Sequence, residues 1–222
     1  LKPGRRQGPT AARPTRAAGA MPRELLGVEG ALNASALAGW LALAARLLYL
    51  GPPSASAPAA QDVLALPEVF WCLALLEGVC VLEVLRIALG QLPGNLALGV
   101  GLHGTRICVG ALILPRVGRH PSAWMVLMMW AVTEVCRYPM YVFGGRRASM
   151  LRYVVPVLTF PAAAGCEVWA ISEALPQLAG ALRYTAMLQA AFNIIAGSAC
   201  YPGMCAKALK AMRPGPKEKK QQ

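Results

Sequence analysis

The seven cysteines of this chain make no CxxC pair and show no zinc-ligand spacing. Cys72, Cys80, Cys108, Cys136, Cys166, Cys200 and Cys205 all fall within or at the edges of apolar segments, so they read as small hydrophobic interior residues rather than metal ligands or disulfide partners. The formal net charge is +12, yet no interleaving of basic and aromatic residues accompanies it, which leaves little for a nucleic-acid reading to rest on. No internal repeat of the kind transporters use is visible. No cleavable secretory signal is recognisable either, so the first apolar segment is expected to serve as the insertion signal.

Apolar sequence is abundant. The hydrophobic set makes up 56% of the 222 residues, the mean hydropathy is +0.47, and 22 glycines come on top. An ordinary globular domain is about 45–50% apolar with glycine already counted. This is the composition of an integral membrane protein. A span needs about 20 mostly apolar residues, because the hydrocarbon core is about 30 Å thick and a helix rises about 1.5 Å per residue. Six such segments are expected, over residues 31–50, 66–90, 93–114, 122–143, 153–175 and 178–205. The predicted fold is therefore all-α, an integral membrane bundle of six transmembrane helices.

The basic residues are clustered. Lys2, Arg5, Arg6, Arg13, Arg16 and Arg23 precede the first span; Lys207, Lys210, Arg213, Lys217, Lys219 and Lys220 follow the last; Arg146, Arg147 and Arg152 occupy the connection between the fourth and fifth. By the positive-inside rule these regions are cytosolic, which puts both termini in the cytosol and requires an even number of spans. The connection "GPPSASAPAAQDV" carries no Lys or Arg, as a lumenal loop should, whereas Arg116 and Arg119 run against the rule. The chain divides into a basic N-terminal tail (1–30), a membrane domain (31–205) and a basic C-terminal tail (206–222), with both tails suited to anionic cytoplasmic headgroups. The first twenty residues have several arginines, no acid and no apolar core. Met21 is taken as the start, a transit peptide being the alternative. The ending "KEKKQQ" has the form of a dilysine retrieval signal of endoplasmic reticulum membrane proteins, although such charge runs are usually just solvated tails.

A charge near the bilayer centre costs about 2.5–3.5 kcal/mol on insertion scales, so each ionisable residue inside a span needs a partner or a purpose. Here they fall in stripes. Glu83, Arg86 and Gly90 share one helical face, as do Gly99, His103, Arg106 and Gly110, and as do Glu134, Arg137, Tyr138 and Tyr141. Glu83 with Arg86, and Glu134 with Arg137, are readable as structural ion pairs that fix helix register. His103 reads as a packed or hydrogen-bonded interior residue. The fifth span aligns Arg152, Pro156, Phe160, Ala163 and Glu167, and the two prolines, Pro156 and Pro161, are expected to bend it by freeing backbone carbonyls. Glu167 has no basic residue within two turns on its own helix, the position of a general acid–base group rather than of an ion-pair member.

These residues also carry a resemblance. Asn33, Gly39 and Trp40 in the first span, "LEVLRIALGQLP" in the second, "TRI" around Arg106, "WAVTEVCRYPMY" in the fourth and "LRYVVPVLTFPAAAGCE" in the fifth stand in the order and spacing of one family. The chain resembles the 3-hydroxyacyl-CoA dehydratases of fatty-acid elongation, also called protein tyrosine phosphatase-like proteins, over roughly residues 31–205. The resemblance implies six membrane helices and removal of water from a (3R)-3-hydroxyacyl-CoA to give the trans-2-enoyl-CoA. It also implies a catalytic tyrosine and glutamate seven residues apart in the fifth helix. The glutamate corresponds to Glu167, but the tyrosine position is Phe160, which neither gives nor takes a proton. Tyr153, Tyr138 and Tyr141 are the other phenols within consideration. The family's second-helix histidine appears as Arg86, and the glycine after its Tyr-Pro pair as Ala163.

On this reading Arg106, Arg137 and Arg152, with Tyr138 and Tyr141, orient the thioester and the phosphates of coenzyme A. No metal or separate cofactor is expected, since coenzyme A is part of the substrate. The expected partners are a long-chain acyl-CoA, membrane lipid and other elongation enzymes, with no nucleic acid, in the endoplasmic reticulum membrane. Two other classes stay open. A catalytically silent membrane scaffold or complex subunit is favoured by Phe160, and a small transporter would need interrupted helices in matched halves. A phosphatase activity is disfavoured, because no cysteine heads a phosphate-binding loop with its arginine. Asn33-Ala34-Ser35, formally a glycosylation acceptor, lies within the first span.

Overall fold

Pro67 and Pro121 each open a helix behind an extended residue, where the missing N–H costs nothing because that group has no intrahelical acceptor, whereas Pro115 and Pro139 follow helical residues and mark joints within longer helical stretches. The structure, a computed structural model, describes residues 23–53, 62–92 and 94–213. Met21 and the first twenty residues, most of the "GPPSASAPAAQDV" connection and the "KEKKQQ" ending lie outside the described residues.

Among those residues the chain is all-helical and forms six rods. The first is α1 (Arg23–Leu50) and the second α2 (Pro67–Ala88). The third joins α3 (Leu96–Cys108), a π-helical stretch at Val109–Ile113 and α4 (Leu114–Val117). The fourth joins α5 (Pro121–Arg137) to α6 (Pro139–Val142). The fifth is α7 (Gly145–Ala174), continued by a short 3-10 turn at Leu175–Gln177, and the sixth is α8 (Gly180–Met212). Each rod coincides with one expected apolar segment. The first and fifth begin about two turns earlier than hydropathy places them, because helical backbone continues into polar flanking sequence that hydropathy alone leaves out.

Three rods are long and apolar enough to cross a membrane, over Gly27–Leu50, Leu96–Val117 and Gly145–Gln177. Among the others, α2 carries Glu68, Glu77, Glu83 and Arg86, and α5 has only 17 residues before Tyr138.

The packing is partly inverted relative to a water-soluble bundle. Trp40, Leu43, Leu47, Ile113, Leu127, Trp130 and Ile171 form an apolar core, but Glu77, His103, Arg106, Glu134 and Glu167 are buried as well. Leu48, Leu75, Leu158, Leu188 and Ile195 lie on the outside, each at least two-thirds exposed. Large apolar side chains facing outward and charges facing inward are what a lipid surround selects.

Two local features set α7 against its neighbours. At its start, Gly144 and Gly145 take φ of 63° and 82°, a pair of left-handed residues that lets the chain reverse between α6 and α7. Within α7 the helix runs uninterrupted through Pro156 and Pro161. The Val157 carbonyl, which Pro161 leaves without its intrahelical donor, accepts from the Tyr201 hydroxyl of α8 at 3.1 Å. The freed group is thus met by a neighbouring helix, as the apolar surroundings require.

Candidate active site

α7 packs along α5 on one side and α8 on the other, and Glu167 sits where the three meet. Its side chain is buried. Oε1 accepts from the Trp130 indole N–H of α5 at 2.7 Å, and Oε2 accepts from the Asn193 amide of α8 at 2.6 Å. Asn193 is oriented in turn by Gln189, whose Nε2 donates to its Oδ1 at 3.0 Å. Among the described residues no arginine, lysine or histidine comes within salt-bridge distance of Glu167.

The buried Glu77 and Glu134 and the half-buried Glu83 are all paired. Glu134 Oε1 receives Arg106 Nη1 at 2.6 Å, and its Oε2 lies 3.3 Å from Arg137 Nη1. Glu77 Oε1 lies 3.6 Å from Arg106, and its Oε2 is 3.3 Å from His103 Nδ1. Glu83 pairs with Arg137 and accepts from the Tyr138 hydroxyl at 3.0 Å. One continuous polar network therefore ties α2, α3 and α5 together. It approaches Glu167 through packing: the Arg106 guanidinium stands 5.6 Å from the centre of the Trp130 ring whose N–H holds the carboxylate.

The geometry sorts the residues singled out by sequence. Glu134 and Arg137 do pair within their helix. Glu83 and Arg86 do not: Glu83 turns to Arg137, and Arg86 reaches Glu29 of α1 at 3.4 Å. Equal spacing along a helix leaves both choices open, and the cross-helix partner sits deeper. Arg106, Arg137 and Tyr138 are engaged inside the network, while Tyr141 and Arg152 lie at its edge. There the Arg152 guanidinium faces the rings of Tyr141 and Tyr153 at 4.7 and 5.6 Å. His103 is buried and hydrogen-bonded, as an interior residue should be.

Phe160 lies about 10 Å along α7 from Glu167, with its ring against α8. A Cβ built on Gly197 would stand 3.4 Å from Phe160 Cε1, ordinary contact distance, so the ring packs beside this glycine of α8. Among the described residues no tyrosine hydroxyl is hydrogen-bonded to Glu167: Tyr138 is committed to Glu83 and Tyr201 to Val157.

Sequence reasoning passed over Glu77, Trp130, Gln189 and Asn193. Glu77 stands outside the Glu83–Arg86 stripe, and the indole N–H of a tryptophan leaves no trace in a hydropathy pattern. Gln189 and Asn193 did leave one, two amides four apart in an apolar helix.

Glu77, Cys80 and His103 bring three donor atoms within 4.8 Å of one another. The Arg106 cation already stands beside Glu77 and would oppose a metal ion; Glu77 and His103 belong to the ion network, and Cys80 Sγ lies 3.8 Å from the Tyr138 hydroxyl. Gln189 also lines an open cleft of about 480 Å³ along α8, with Thr185, Leu188, Ala191, Phe192 and Ile195.

Comparison with known families matches residues 78–211 to the family described as protein tyrosine phosphatase-like protein, PTPLA. The chain belongs to this family. It is the 3-hydroxyacyl-CoA dehydratase family that the sequence motifs resemble. The matched region runs from α2 to the end of α8 and holds Glu83, Glu134, Arg137, Phe160, Glu167 and Asn193; α1 lies outside it. Comparison with curated proteins and with solved structures gives no match.

Proposed function

We propose that this chain dehydrates long-chain (3R)-3-hydroxyacyl-CoA to trans-2-enoyl-CoA in fatty-acid elongation. It would act as a six-span protein of the endoplasmic reticulum membrane with both termini in the cytosol. The observation that carries this reading is the state of Glu167. It is the buried acid in the bundle held by two neutral N–H donors and no cation, in a chain of the dehydratase family.

The reaction needs a base for the proton on the carbon next to the thioester, and a proton for the hydroxyl that leaves the third carbon as water. The C–H pair becomes the new carbon–carbon double bond, the C–O bond breaks, and the net products are enoyl-CoA and one water. Glu167 takes the first proton and, once protonated, gives it to the departing hydroxyl, which leaves as water. A carboxylate neutralised by arginine is poorly suited to that step, which sets Glu167 apart from Glu77, Glu83 and Glu134.

Arg152 and Tyr141 are the candidates for the coenzyme A phosphates, because Arg106 and Arg137 are occupied by carboxylates. Arg152 lies about 22 Å along α7 from Glu167, a separation suited to the long pantetheine arm between phosphates and thioester. No metal and no further cofactor enters this scheme, and other elongation enzymes are the expected neighbours.

The test is turnover of a 3-hydroxyacyl-CoA by the purified chain: Glu167→Gln is expected to remove it. One observation favours a second reading, a catalytically silent scaffold: Phe160 fills the tyrosine position and its ring is packed against Gly197. Activity that arises only in Phe160→Tyr would establish that reading in place of the first.

A further inference from the structure

The Glu167 carboxyl group ends a flexible side chain, and one hydrogen bond leaves it free to turn about its last torsion. Trp130 on α5 fixes one oxygen. The second oxygen is fixed from a different helix, by Asn193 of α8 at 2.6 Å. Held at both oxygens from two sides, the carboxylate plane has one orientation.

An asparagine side chain can present either its oxygen or its nitrogen, and only the nitrogen suits a carboxylate. Gln189, one turn earlier on the same helix, donates to Asn193 Oδ1 at 3.0 Å. That contact uses the acceptor end and leaves Nδ2 for Glu167. The pair therefore works as a relay: Gln189 aims Asn193, and Asn193 aims Glu167.

We propose that Asn193, aimed by Gln189, is a positioning residue for the Glu167 carboxylate. It holds that group for proton transfer without supplying a countercharge. Its role in turnover rests on the dehydratase reading; its geometry does not. An amide meets both needs, whereas an arginine in the same place would donate equally well but would form the kind of ion pair that immobilises Glu134. Gln189 also lines the open cleft along α8, so the relay runs from the outer surface of that helix to the carboxylate.

The experiment uses the full chain in lipid nanodiscs with ¹⁵N-indole-labelled tryptophan, and compares wild type with Glu167→Gln, Asn193→Leu, Asn193→Asp and Gln189→Leu. The resonance of the Trp130 indole N–H, assigned with Trp130→Phe, reports the carboxylate position whether or not the chain turns over. Asn193→Leu and Asn193→Asp are expected to move it, as Glu167→Gln does, with a smaller displacement for Gln189→Leu. With a 3-hydroxyacyl-CoA, the Asn193 variants are expected to lose about 10- to 100-fold in kcat with KM within about twofold, the cost of a misplaced catalytic group. Asn193→Asp keeps the shape of the side chain, so an unmoved resonance and unchanged kcat in that variant would overturn the proposal. A resonance that moves in both Asn193 variants while wild type shows no turnover would uphold the clamp and overturn the dehydratase reading instead.

Discussion

At the scale of single residues, Glu77, Glu83, Glu134 and Glu167 fall into two kinds. Glu77, Glu83 and Glu134 are anchored by cations, and removing one partner of such a pair leaves a buried charge uncompensated. Glu134→Ala is therefore expected to destabilise the fold by about 3–5 kcal/mol, measured by denaturant unfolding in mixed micelles. Glu167→Gln, which keeps the side-chain shape and removes no countercharge pairing, is expected to change that stability far less while abolishing activity. Equal destabilisation by the two would mean that Glu167 is structural. The acid itself was legible in the sequence, as a carboxylate with no basic neighbour on its own helix. Its partners were not, because Trp130 and Asn193 come from helices whose approach to α7 is decided by packing rather than by any local spacing.

At the scale of elements, α7 shows how a helix with two internal prolines persists among apolar surroundings. Pro161 removes the donor for the Val157 carbonyl, and Tyr201 of α8 replaces it. A buried acceptor left unsatisfied costs about 1–3 kcal/mol, so Tyr201→Phe is expected to destabilise the bundle by about that amount. In a Pro161→Ala background the backbone N–H is restored, and the cost of Tyr201→Phe should shrink. A double-mutant cycle giving fully additive effects would show that the two groups do not serve the same carbonyl. The prolines suggest a bend in α7; helical backbone runs on through both, and at Pro161 a neighbouring hydroxyl supplies the donor that is lost. The stripes on α2, α3 and α5 were legible from helical spacing alone, whereas the choice of Arg137 over Arg86 as partner of Glu83 depended on which helix lies deeper.

At the scale of the whole molecule, hydropathy located all six rods, three of which are long and apolar enough to cross a membrane. Hydropathy could not tell which residues face in, because in lipid both the interior and the exterior of a bundle are apolar. The proposed topology predicts that a glycosylation acceptor inserted into the connection after Leu50 is modified in microsomes, whereas one added at the carboxyl terminus is not. Modification of the second but not the first would invert the orientation and place Arg152 on the wrong side for a cytosolic coenzyme A ester. The central claim is that Glu167 is kept free of a countercharge because it moves a proton on a thioester substrate. The direct measurement is conversion of a long-chain (3R)-3-hydroxyacyl-CoA to the enoyl-CoA by the purified wild-type chain beside Glu167→Gln. Turnover by the wild type that vanishes in the variant is the expected result; equal turnover by both, or none by the wild type, would contradict it.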